Sequence, residues 1–112
     1  MVKIKEMSTT FHKNGSGKLG KFLYLVSAPD FGGYDTFDSF VGCADSEQEV
    51  REMHPDGILD DNDKGVNFNK KYGTWVMFEE IDRLEVELIG IAKNQVKGVI
   101  LSSFNAGYSG TF

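Results

Sequence analysis

A single cysteine, Cys43, occurs among the 112 residues, so no internal disulfide and no thiolate zinc site can form. The two histidines, His12 and His54, lie far apart with no histidine or cysteine beside them, which argues against a zinc-binding spacing. No stretch approaches the ~18–20 uninterrupted apolar residues of a membrane span. The opening MVKIKEMSTTFHKNGSG has basic residues but no apolar h-region, so a secretory signal is not expected and the expected compartment is the cytoplasm. What the chain does have is 40% hydrophobic and 12% aromatic residues, enough for one real core in a chain of one-domain size.

The net charge of −5 is unevenly distributed. Residues 1–21 hold Lys3, Lys5, Lys13, Lys18 and Lys21 against Glu6, while residues 30–63 hold eleven acids against the single base Arg51. A body this acidic repels phosphate backbones and argues against direct nucleic-acid binding. An acidic face can instead solubilise the chain or attract a basic partner surface.

The pattern along the chain predicts an α+β domain. Val2–Met7 reads as a short strand in a basic arm, and Asn14–Gly20 as a glycine-rich connector. Lys21–Ala28 is apolar on both faces, the mark of a central strand. Phe37–Ala44 follows a turn-rich tip and predicts a hairpin. Ser46–His54 reads as a helix with a capping box, Ser46 to Glu49, and a buried stripe of Val50 and Met53. Residues 58–74 show no period beyond a short strand at Val66–Asn69. Asp82–Ile91 alternates, with Leu84, Val86 and Leu88 inward, and Gly90 marks a bulge. Gly98–Phe104 is again apolar on both faces. Together these predict a four- to five-stranded, mainly antiparallel sheet with one short helix packed on a face. Residues 1–20 form the arm, 21–107 the domain and 108–112 a tail.

Across residues 21–107 the chain resembles a family of small phage-encoded proteins that run YDTYDS, then a SEEEAR-x-IHP helix, a tryptophan, and a terminal GVILASFNAG. The matching residues are Leu25–Ser27, Gly33–Ser39, Ser46–Gly57, Trp75, Val86–Gly90 and Gly98–Gly107. Ser102 replaces the usual alanine, and Tyr108–Phe112 extends past the family's terminal glycine. The motifs are chemically silent. What the resemblance implies is a phage accessory role, and such proteins often block or sequester something of the host's.

No known catalytic motif is present. Asp60, Asp61, Asn62, Asp63 and Gly65 suggest a calcium loop, but Lys64 takes the fifth position and no glutamate takes the twelfth. Cys43 sits mid-strand, where it reads as a small hydrophobe. Ser102 and Ser103 lie in a strand rather than a nucleophile elbow, and Gly15-Ser16-Gly17 lacks the further glycine of a phosphate loop. Tyr34, Asp35, Asp38 and Ser39 at the hairpin tip, with His54 and Trp75, suit stacking on a planar ligand with carboxylates accepting its hydrogen bonds. The same residues also read as turn formers and core aromatics, and Asn105 as a turn former.

The expectation is therefore a non-enzymatic protein without metal or cofactor. It would inhibit a host defence protein in the host cytoplasm through its acids, notably Asp60, Asp61 and Asp63, and its exposed loops. The alternative is a homo-oligomer that sequesters a small nucleotide immune signal. Open sheet edges favour self-association in either case.

Overall fold

The computed structural model describes residues 14–29, 31, 33, 35–68 and 73–105. The predicted strand at Val2–Met7, Tyr34 of the tip and the tail 108–112 lie outside the described residues. Four strands, β1 (Phe22–Ser27), β2 (Thr36–Ala44), β3 (Glu85–Ile91) and β4 (Gly98–Asn105), form one antiparallel sheet in the order β3-β1-β2-β4. Among the described residues a short helix, α1 (Glu47–Arg51), and a 3-10 helix, Phe78–Arg83, accompany the sheet, so the fold is α+β.

The doubly apolar β1 is indeed central, flanked by β2 and β3. The similarly apolar β4 lies at an edge. Tyr24, Val26 and Phe40 project from the sheet into the core, where Val50, Met53, Leu59, Trp75, Ile81 and Leu84 meet them. Gly42 lies opposite Tyr24, and a Cβ there would come within 2.7 Å of a Val50 methyl. The absence of that carbon lets α1 approach the sheet.

The punctuation of α1 forms with one change of partner. Ser46 Oγ accepts the Glu49 N–H at 3.2 Å, while Glu49 Oε1 accepts the Asp45 N–H at 2.7 Å, one residue before the cap. The helix ends at Arg51 rather than His54. Arg51 Nη1 donates to the carbonyls of Ile81 and Leu84 at 3.0 and 2.7 Å, fastening α1 to the 3-10 helix.

Three expectations for the second half change. The strand at Asp82–Ile91 begins at Glu85, because residues 78–83 are coiled into the 3-10 helix. Leu84 is buried as expected, but Leu88, on the edge strand β3, is 55% exposed. The bulge at Gly90 is present: Leu23 pairs with Gly90 and Tyr24 with Leu88, leaving Ile89 unpaired. No strand forms over the described part of Val66–Asn69; Gly65, just before it, makes an isolated bridge to Leu59. Among the described residues, no helix is long and apolar enough to cross a membrane.

Candidate functional site

The hairpin tip is organised by Asn105. Its Nδ2 donates to the Gly33 carbonyl at 2.9 Å, its own carbonyl accepts the Asp35 N–H, and Thr36 Oγ1 donates to Gly33 O at 2.7 Å. Asp35 has φ 60, a left-handed conformation that aspartate tolerates at turns. Asp35 and Asp38 are exposed. His54 and Trp75 lie in the core, each 3% exposed, which takes them off the surface that a ligand at the tip would meet.

His54 stacks edge-on between Phe37 and Phe68. Its Nδ1 lies 3.1 Å from the Asp56 N–H and 3.2 Å from Asp56 Oδ1, so the neutral ring accepts from the amide and the protonated ring donates to the carboxylate. Burial pushes the Asp56 carboxyl up, but hydrogen bonds from His54, Asn67 Nδ2 and the Ile58 N–H outweigh it and hold its pKa below the ordinary value. Trp75 packs edge-on against Phe31 and Phe40, and its buried Nε1 has no hydrogen-bond partner among the described residues.

The acids between residues 30 and 63 are largely engaged in holding the fold. Asp63, 4% exposed, accepts from Ser16 N–H and Ser16 Oγ at 2.7 and 2.9 Å. Asp60 Oδ1 accepts the N–H groups of Asn62 and Lys64, closing the loop on itself. Lys97 Nζ bridges Asp45 and Glu49 at 3.1 and 3.0 Å. The Lys97 hydrogen bond lowers the Asp45 carboxyl, and those carboxylates raise Lys97, chiefly through its bond to Glu49. Glu47 pairs with Arg51, and Glu52 with Lys64. Asp61 stays exposed, whereas burial removes Asp63 from any surface where a partner would dock.

The acidic surface lies elsewhere. Glu79, Glu80, Asp82, Glu85 and Glu87 are all exposed along the 3-10 helix and β3, with Arg83 the one base among them. None forms an ion pair among the described residues. The strip runs into exposed Leu88, Ile89 and Ile91 on the β3 edge. Beside it opens a cleft of about 220 Å³ lined by Ala28, Pro29, Phe31, Val76, Glu80, Arg83 and Leu84. The signal was present in the run FEEIDRLEVELIGI, where outward-facing acids alternate with apolar residues. It was overshadowed by the denser acids upstream.

Among the described residues, chemistry-bearing groups do not converge. Burial raises the Cys43 thiol, which keeps it protonated at neutral pH. The described residues hold no group of three or more side chains able to bind a metal ion. No family model matches the chain, and no curated protein or solved structure is significantly similar to it.

Proposed function

We propose that the chain is a small non-enzymatic accessory protein, of the phage type its motifs resemble, that inhibits a host protein by direct binding. The partner is a component of antiviral defence in the host cytoplasm. The observation that carries this reading is the exposed strip from Glu79 to Glu87, five carboxylates with Arg83 as the one base within the run, ending in exposed Leu88, Ile89 and Ile91. Crowded carboxylates on a surface repel one another, and a basic partner relieves that repulsion while speeding encounter. Exposed apolar residues at the end of the strip supply the desolvated contact that charge alone does not.

The experiment is a binding titration against the captured host protein as ionic strength is raised from about 0.05 to 0.5 M. Affinity falls steeply with salt in the native chain, and Glu80→Lys with Glu85→Lys weakens it by at least tenfold. Binding indifferent to both would contradict the reading.

A second reading draws on the cleft, where Phe31 offers a ring and Arg83 a guanidinium within one opening. An aromatic face with a cation suits a base and a phosphate, as in a homo-oligomer that sequesters a nucleotide signal. Phe31 also touches Trp75 at a ring separation of 6.3 Å, so ligand entry would change tryptophan fluorescence. A flat response across cyclic and linear nucleotides would remove this reading.

A further inference from the structure

We propose that Asn14 is a site of spontaneous modification, where the chain converts its own asparagine to isoaspartate and so loosens residues 14–16 from the loop after α1. The inference stands apart from the inhibitory reading above, because it needs neither a partner nor the acidic strip.

Among the asparagines of the chain, Asn14 alone is followed by glycine. Any other residue carries a Cβ that shields its backbone nitrogen, so a glycine nitrogen is the most open to the preceding side chain. The fold keeps glycine at this position. Gly15 has φ 95, and a Cβ there would come within 2.5 Å of Asp63 Oδ1. The bonds from Ser16 to Asp63 thus hold the labile pair in place. Asn14 itself is exposed, and its side chain makes no hydrogen bond among the described residues.

A second pair of similar chemistry is locked by contrast. Asp56 precedes Gly57, whose φ is 83. Asp56 Oδ1 accepts the Ile58 N–H at 2.9 Å, and Oδ2 accepts from Asn67 Nδ2 at 2.7 Å. His54 Nδ1 lies 3.2 Å from Oδ1 as well. A carboxylate held on both oxygens does not swing onto the Gly57 nitrogen, and its ionised form offers no leaving group. The unheld Asn14 amide has both freedoms.

The step balances with water as the sole co-reactant. The Gly15 nitrogen loses its proton and attacks Asn14 Cγ. The Cγ–Nδ2 bond breaks, and ammonia leaves with a proton returned from solvent. Water then opens the cyclic succinimide. Opening at the main-chain carbonyl of residue 14 gives isoaspartate, and opening at Cγ gives aspartate. Nothing is oxidised or reduced.

The isoaspartate product acts on the clamp. It lengthens the main chain by a carbon directly before Gly15, next to the Ser16 groups that bind Asp63 at 2.7 and 2.9 Å. It also shifts residue 14 away from its bridge to Leu59. The freed carboxylate adds negative charge to a hollow that Asn14 shares with Asp56, and like charges repel there.

The test holds the full chain warm at mildly alkaline pH and follows it by peptide mass spectrometry, with an isoaspartate-specific methyltransferase as label. A synthetic peptide of residues 13–18 serves as the unfolded reference. The peptide holding Asn14 gains about 1 Da and takes up label, while those holding Asp56, Asn62 and Asn94 take up none. The converted chain melts lower than the fresh chain by roughly 4 °C or more. Asn14→Gln, whose longer side chain disfavours ring closure, keeps its mass and its Tm through the same incubation. An Asn14 that stays intact in the folded chain while the synthetic peptide converts would overturn the proposal, since the fold would then protect the pair. Conversion that leaves Tm unchanged would overturn the link to the clamp.

Discussion

Asp63 accepts both the backbone N–H and the hydroxyl of Ser16, 47 residues earlier in the chain, at 2.7 and 2.9 Å. One buried carboxylate thus fixes the segment before β1 to the loop after α1. Gly15 makes room for it, since a Cβ there would come within 2.5 Å of Asp63 Oδ1. Asp63 itself has φ 65, a conformation that asparagine shares. Asp63→Asn therefore preserves the backbone and removes the charge-assisted bonds. The expected loss is about 1.5–3 kcal/mol, a Tm lower by roughly 6 °C or more in thermal unfolding. An unchanged Tm would mean that the clamp contributes nothing to stability.

Acid should destabilise the fold through Asp45 and Asp56. Both carboxyls titrate below their ordinary value when folded, so the unfolded chain binds protons first as pH falls. Their contribution is fully present above about pH 5 and is lost as pH drops through about 4 toward the lower folded values. Lys97 is raised, so its contribution persists below the ordinary lysine value and disappears only above its folded one. Denaturant titrations between pH 2.5 and 7 should show a fall at the acid end that Asp56→Asn makes shallower. An identical slope in that variant would count against the assignment.

Trp75 contributes through its ring rather than its N–H. Because Nε1 has no hydrogen-bond partner among the described residues, Trp75→Phe removes a buried unsatisfied donor while retaining an aromatic between Phe31 and Phe40. The expected cost is within about 1.5 kcal/mol, against about 3–5 kcal/mol for Trp75→Ala. Chemical denaturation distinguishes them, and equal costs would show that the indole nitrogen matters.

Gly65 sits under His54. A Cβ at Gly65 would meet His54 Cβ at 2.7 Å, His54 N at 2.8 Å and a Phe68 ring carbon at 2.8 Å. Its N–H also donates to Glu52 O at 2.8 Å, holding the loop against the end of α1. Gly65→Ala is expected to cost about 1–3 kcal/mol by overpacking. A neutral effect in thermal unfolding would mean that the loop yields freely.

Much of this fold was legible because local signals agreed with the tertiary outcome. The capped helix at Ser46, the central position of Lys21–Ala28 and the bulge at Gly90 each follow from short-range chemistry. The strand order was not legible, because β1 and β4 present the same doubly apolar pattern and only one of them is central. The 3-10 helix was hidden by the alternation of Asp82–Ile91, whose first residues satisfy either conformation. The site proved hardest to read. Asp60 and Asp63 looked like surface charge, yet their carboxylates close loops and bind Ser16, a use that depends on contacts distant in sequence. The acids from Glu79 to Glu87 seemed ordinary in sequence, and only their shared exposure beside the β3 edge sets them apart.

Native mass spectrometry of the full chain, before and after exposure to a host lysate, tests direct inhibition most directly. The expected result is a host protein bound to the native chain, released at high salt, and absent when Glu80→Lys and Glu85→Lys are introduced together. A small-molecule adduct in place of that protein, or a host protein held equally well by the charge-reversed chain, would contradict it.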